Sequence, residues 1–135
     1  MRKYLLLLHV LILSFVFFLK PTIQSASGCF YDFDSLYKLQ KEAFKQAIRI
    51  NPDDADAHFE LGIAHGEFGM YKEAVESLKQ VLRIKPDSVA AHYYLGLAYA
   101  ILNDRGSALE QYKILKILDS ERANELNELF NKIYE

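Results

Sequence analysis

Three histidines in the central part of the sequence are the residues whose type and spacing come nearest to a metal site. His58 and His65 lie seven residues apart, and His92 follows 34 residues after His58. On a helix, seven residues span two turns and about 10 Å, which is too far for both imidazoles to bind one ion. No carboxylate completes a ligand set with them. We therefore predict that the histidines pack between helices, and we predict no metal and no other cofactor.

A cluster of carboxylates, Asp53, Asp54 and Asp56, lies just before the first of these histidines. Paired acids catalyse reactions only in a cleft that perturbs their protonation. At the start of a helix, carboxylates instead cap free backbone N–H groups and interact with the positive end of the helix dipole. The chain also has no glycine-rich phosphate loop and no Gly-x-Ser-x-Gly nucleophile motif. We therefore predict helix capping, no catalytic residues and no enzyme.

The charge of the chain is unevenly distributed. Among 135 residues, 16 Lys and Arg oppose 18 Asp and Glu, but residues 1–31 contain three basic residues and no acidic one. The remaining residues carry 13 basic and 18 acidic side chains, a net charge of −5. This excess of acid argues against nucleic-acid binding, which depends on clustered positive charge. The single cysteine excludes an intramolecular disulfide and a multi-cysteine zinc site.

Residues 1–28 have the pattern of an export signal. Arg2 and Lys3 precede a mainly apolar run over residues 4–19, and small polar residues follow over residues 22–28. This order is typical of a secretory signal. The apolar run is slightly shorter than the roughly 20 residues that span a bilayer. We predict that the chain after this segment is exported, to the periplasm or the extracellular space.

Three fates of this segment stay open. A peptidase could cleave after Ser27 or Gly28, where small residues precede the cut. The segment could also persist as an uncleaved signal anchor that tethers the chain to the membrane. The third alternative is a lipid on Cys29, because a cysteine directly after Ala26, Ser27 and Gly28 resembles the attachment site of bacterial lipoproteins.

A 34-residue repeat organises the rest of the chain. Residues 55–87 align with residues 89–121 at eight identical positions. The same offset places residues 42–53 on residues 76–87 with seven of twelve positions identical. Self-similarity at a fixed period of this length is the signature of stacked repeats.

Each repeat predicts two helices. The first has an apolar face at helical steps, formed by Ala57, Leu61, Ala64 and Phe68. It ends at Gly69, because glycine tolerates the left-handed conformation that follows many helices. The second helix ends before Pro86, which lacks an N–H donor. Its inward face consists of Ala74, Leu78, Val81 and Leu82.

Small residues predict where the two helices of a repeat approach closely. We place Gly62 opposite Ala74, and Gly96 opposite Ala108. A final helix begins at Ser120. Its predicted inward face consists of Ala123, Leu126, Leu129, Phe130 and Ile133.

Residues 36–119 resemble the tetratricopeptide repeat (TPR), a helix–turn–helix unit with the pattern W-x2-L-G-x2-Y, then A-x3-F, then P. The first full copy carries the pattern as His58, Leu61, Gly62, His65, Ala74, Leu78 and Pro86. The second carries it as His92, Leu95, Gly96, Tyr99, Ala108 and Tyr112, with Ser120 in place of the proline. The resemblance implies an all-α, antiparallel helix-hairpin solenoid. We predict a linker at 29–34 and a TPR-like domain at 35–135. Within this domain we place a half repeat at 35–53, full repeats at 54–87 and 88–119, and a capping helix at 120–135.

In proteins with this repeat, the first helix of each pair lines a concave groove that contacts ligands. The resemblance places the partner-binding groove at Phe59, Ile63, Glu67, Tyr93, Leu97 and Ile101. Five of these six side chains are apolar, and contiguous exposed apolar surface usually marks an interface. Two alternatives stay open. Either Phe30, Tyr31 and Phe33 or self-association covers the strip, or the strip binds a hydrophobic segment of a partner.

The sequence therefore predicts an exported protein–protein interaction module, an adaptor or scaffold that binds a partner peptide or helix in its groove. The alternative is a structural subunit of a cell-envelope complex whose groove is permanently filled. The expected partner is a protein or peptide and not a nucleic acid. A membrane tether through the N-terminus is a further alternative. A homo-oligomer is another, since two and a half repeats are few for a stable solenoid.

Overall fold

The computed structural model describes residues 33–134 and has the all-α fold that the sequence predicts. This part of the chain forms six helices and contains no strand. The helices are α1 (Phe33–Ile50), α2 (Ala55–Glu67), α3 (Tyr71–Ile84), α4 (Val89–Ile101), α5 (Arg105–Leu118) and α6 (Ser120–Tyr134). Within this range, no helix combines the length and the hydropathy needed to cross a membrane.

Equivalent residues begin the first helix of each full repeat. Asp54 caps α2, where its Oδ1 accepts hydrogen bonds from the backbone N–H groups of Asp56 and Ala57 at 3.1 and 3.0 Å. Ser88, which lies 34 residues later, caps α4 by accepting from the N–H of Ala91 at 3.3 Å. Each cap satisfies N–H groups that have no partner inside the helix.

Equivalent residues also end these two helices. Gly69 and Asn103, again 34 residues apart, adopt left-handed backbone conformations with φ of 73° and 60°. Just after Gly69, the N–H of Met70 donates back to the carbonyl of His65 at 2.9 Å. Glycine and asparagine are the residues that tolerate this conformation best, so the two turns have the same geometry despite different side chains.

The helices pack side by side in the order of the chain. Each helix contacts the next from α1 to α6, and α4 also contacts α2 and α6. The first helices of the two full repeats (α2 and α4) and the capping helix α6 are therefore neighbours in one layer, while α3 and α5 pack behind them. This is the arrangement of a TPR-like solenoid, in which one repeat contacts only its neighbours.

The core lies between these layers and is built from leucines and alanines. Leu78, Leu115 and Leu126 are its largest fully buried side chains. Full burial of a side chain of this size contributes about 1.5–3 kcal/mol to the free energy of unfolding.

The two helices of each repeat approach closely at Gly62 and Gly96. A Cβ on Gly62 would lie 3.0 Å from Leu78 Cγ, and one on Gly96 would lie 2.8 Å from Leu126 Cδ2, so leucines lie nearest to these glycines. One detail of the predicted packing is wrong, because Ile133, predicted to face inward, is 40% exposed. Its neighbour Tyr134 packs against the core in that turn.

Candidate partner-binding groove

The histidines that suggested a metal site have structural partners. His58 Nε2 lies 3.0 Å from the carbonyl oxygen of Pro52, and His92 Nε2 lies 2.9 Å from that of Pro86. A carbonyl can only accept a hydrogen bond, so Nε2 carries the proton in both rings. The repeated hydrogen bond ties the first helix of each repeat to the turn that precedes it.

His65 is buried and lies 2.7 Å, through Nδ1, from the hydroxyl of Tyr37 on α1. The same hydroxyl lies 2.8 Å from Met70 Sδ, and the ring of Tyr37 stacks on Phe68 at 4.0 Å. Burial lowers the pKa of His65, an effect that Glu73 opposes and that Lys41 and Lys45 reinforce. These contacts join α1 to the C-terminal end of α2.

The structure separates the groups that could have formed a chemical centre. Within residues 33–134, no three His, Cys, Asp or Glu side chains are close enough to hold a metal ion. Of the three clustered aspartates only Asp54 is a cap. Asp53 pairs with Arg83 at 2.7 Å and Asp56 with Lys85 at 3.1 Å, which links the start of α2 to the end of α3. Both pairs are largely exposed, so each contributes little to stability.

An open cavity of about 290 Å³ lies between α2, α3 and α4. Four of the six predicted groove residues line it, namely Ile63 and Glu67 of α2 with Leu97 and Ile101 of α4. The other lining residues are Gly62, Gly66, Tyr71, Ala74, Leu78, Tyr94 and Ala98. We call this the α2–α4 cavity. The wall of the cavity is mainly apolar and its mouth is open to solvent, so it can accommodate an apolar side chain of a bound segment.

The remaining two predicted residues lie outside the α2–α4 cavity. Phe59 packs edge-on against Tyr94 with ring centroids 5.7 Å apart. Tyr93 lies perpendicular to Tyr94 at 5.4 Å, and the guanidinium of Arg122 lies 5.7 Å from its ring centroid. Both side chains are partly buried against the core. They support the wall of the groove next to the cavity.

Tyr71 and Tyr94 line the α2–α4 cavity but are absent from the predicted groove. Tyr94 could have been found from helical spacing, because it lies three residues before Leu97 and seven before Ile101 on the same face of α4. Tyr71 belongs to the second helix of its repeat, which the family pattern does not assign to the groove. Its position follows only from the packing of α3 beside α2.

Several predicted features fall outside the described residues. They include the export signal, the lipid-attachment candidate Cys29, and Phe30 and Tyr31 of the segment proposed to cover the groove.

Two family models match the chain. A model described as TPR repeat matches residues 42–69 and 67–103, and one described as tetratricopeptide repeat matches residues 23–54. The second match begins within the predicted signal and so includes residues that we assigned to signal and linker. No curated protein matches the chain at a significant level.

Solved structures with the same fold are also similar to this chain. YrrB, described as a TPR protein with an unusual peptide-binding site, is 26% identical with a TM-score of 0.62; the match covers 68% of this chain and 48% of YrrB. The TPR2B domain of yeast Sti1 in its pHsp70 complex is 22% identical with a TM-score of 0.65, covering 77% of this chain and 87% of that domain. The CopN–Scc3 complex gives 20% identity and a TM-score of 0.62, covering 76% of this chain and 61% of that chain. Since the match covers 48% of YrrB, this chain spans about half the length of that protein.

Proposed function

Because the chain contains tetratricopeptide repeats and its described part is a TPR-like all-α solenoid, we propose that it is a protein-interaction module whose groove binds a partner peptide or helix. The observation that carries this proposal is the α2–α4 cavity, which exposes apolar side chains from two neighbouring repeats. The peptide-binding site named for YrrB supports it by similarity.

The groove fits a short segment better than a flat protein surface. The α2–α4 cavity is concave and mainly apolar, and Ile101 at its rim is 41% exposed. A bound segment would bury its own apolar side chain there, and burial of one Leu-sized anchor contributes about 1.5–3 kcal/mol to binding.

Ile101→Asp tests the proposal, because it places a charge at the rim without disturbing the buried core. Ile117→Asp is the matched control, since Ile117 is 86% exposed on α5 and does not line the cavity. Tyr93 and Leu97 are less suitable because both pack against the core cluster around Leu115 and Leu126.

We expect Ile101→Asp to remove most partner recovery in crosslinking followed by mass spectrometry, while Ile117→Asp recovers the same partner as the unmodified chain. Helical circular dichroism should be the same for all three. Equal recovery by both variants would contradict binding at this groove. A complex that survives purification and cannot be exchanged with added partner would favour the permanently filled subunit over a reversible adaptor.

We also propose that the module acts outside the cytoplasm, on the basis of the signal-like residues 1–28. The mass of the intact mature chain tests this. Loss of residues up to Ser27 or Gly28 corresponds to cleavage, and a diacylglycerol on an N-terminal Cys29 corresponds to lipid attachment. An unprocessed chain recovered from the membrane would be a signal anchor, whereas an unprocessed chain in the cytoplasm would contradict export.

A further inference from the structure

The lining of the α2–α4 cavity contains an acidic residue and no basic one. Glu67 is the one Asp, Glu, Lys or Arg residue among the described residues that line it. No lysine, arginine or histidine is part of this lining. A negative charge at the edge of an apolar cavity attracts a cation and repels a carboxylate.

The ends of two helices add to this negative potential. Glu67 is the last residue of α2 and Ile101 the last of α4, and both line the cavity. The C-terminal end of a helix carries the negative end of the helix dipole, so a cation placed beside it is stabilised.

Two aromatic rings also favour a cation. Tyr71 and Tyr94 line the cavity together with Glu67, and Tyr94 is 39% exposed. Aromatic rings attract lysine and arginine side chains through cation–π interactions. The aliphatic part of such a side chain has apolar neighbours in Ile63, Leu97 and Ile101.

We propose that the α2–α4 cavity binds a lysine or arginine side chain of the partner segment. The aliphatic stem packs against the apolar wall, and the charged group lies beside Glu67 and the tyrosines. This assignment rests on the proposed function and adds a chemical requirement to it, namely a basic residue in the bound segment.

Three peptides that differ at one position test the assignment against the full-length chain. The sequence is acetyl-Leu-Ala-X-Ala-Leu-amide, in which X is lysine, the neutral isostere norleucine or glutamate. We expect the lysine peptide to bind roughly five to ten times more tightly than the norleucine peptide at low salt, and the glutamate peptide to bind most weakly.

Glu67→Gln should lower the affinity for the lysine peptide toward that for norleucine and leave norleucine binding unchanged, and the tyrosines and helix ends should retain a smaller preference for lysine. Glu60→Gln is the control, because Glu60 is an exposed carboxylate of α2 that does not line the cavity. Both substitutions are on the surface, so circular dichroism should match that of the unmodified chain.

Equal affinity for lysine and norleucine, a lysine preference that is undiminished in Glu67→Gln, or no binding of any peptide would overturn the basic-residue assignment. If all three peptides bind equally and Ile101→Asp removes that binding, the groove function stands and only the cation preference fails. A dimer in sedimentation that excludes the lysine peptide would place a second copy in the cavity and would also overturn the assignment.

Discussion

The side-chain amide of Gln111 lies 2.7 Å from Nδ1 of the buried His92, and because Nε2 of this ring donates to Pro86, Nδ1 accepts a hydrogen bond from the amide. One repeat earlier, Ser77 occupies the position of Gln111, and its hydroxyl donates to the backbone carbonyl of Glu73 at 3.1 Å. Beside Ser77 and His58 lies a second open cavity, of about 460 Å³. The two repeats thus differ at this position, where Gln111 contacts the histidine and Ser77 bonds to its own helix instead.

Gln111→Ser should therefore destabilise the protein. The change removes the partner of a buried histidine and leaves space behind it, which we expect to cost about 1–3 kcal/mol in the free energy of unfolding. Urea denaturation measures this. The reciprocal Ser77→Gln should be neutral or stabilising, because it can reproduce the His92 contact at His58. A Gln111→Ser protein that unfolds at the same urea concentration would show that the hydrogen bond adds nothing.

Gly96→Ala should also destabilise the protein. The new methyl group would lie 2.8 Å from Leu126 Cδ2 and 3.3 Å from Gln111 Cβ, and Leu126 is fully buried. Overpacking of this kind costs about 1–3 kcal/mol, partly offset by the better helix propensity of alanine.

Gly66→Ala is the matched control for Gly96→Ala. Apart from its chain neighbours and the backbone of its own helix, no atom lies within 4 Å of the added methyl group, so helix propensity alone should stabilise this variant by up to about 1 kcal/mol. Thermal unfolding of both variants should give midpoints that shift in opposite directions. Shifts of the same sign would contradict the packing described here.

The stability of the protein should decrease as the solution becomes acidic, in part through His65. Burial lowers the pKa of His65 in the folded state, so the unfolded chain binds its proton more readily. The contribution is fully present above the unfolded value of about 6.5 and is lost as the pH falls from there through the folded pKa.

His65→Gln tests this contribution, because glutamine can still bond to Tyr37 but does not titrate. The free energy of unfolding of the unmodified chain should fall more between pH 7.5 and pH 5 than that of the variant. All other histidines are present in both proteins, so their effects cancel in the comparison. Parallel pH profiles would exclude His65 as the source.

Asp54 and Asp53 should differ in their contributions to stability although they are adjacent. Asp54→Ala removes two hydrogen bonds to the start of α2 and should cost about 1 kcal/mol. Asp53→Ala removes only a surface ion pair with Arg83 and should cost well under 1 kcal/mol. Denaturation of the two variants in parallel measures the difference, and an equal loss would mean that the ion pair is as important as the cap.

The fold could be predicted from the sequence because local signals and the 34-residue period agree. Asp54 marks a helix start through its side chain, Gly69 and Pro86 mark helix ends through their backbone, and the repeat places such signals at a fixed period along the chain. The lining of the α2–α4 cavity was only partly predictable. The positions of Ile63 and Leu97 in the lining follow from the repeat register. That Phe59 packs against Tyr94 and does not line the cavity depends on how closely neighbouring repeats pack.

The contacts between helices also determine how the molecule opens. Among the described helices, α1 contacts only α2, whereas α4 contacts four others. Fraying of α1 disrupts a single interface, while release of α4 would require most of the domain to unfold. Amide hydrogens of α1 should therefore exchange with deuterium well before those of α4, and protection should rise from this end of the row of helices toward its centre.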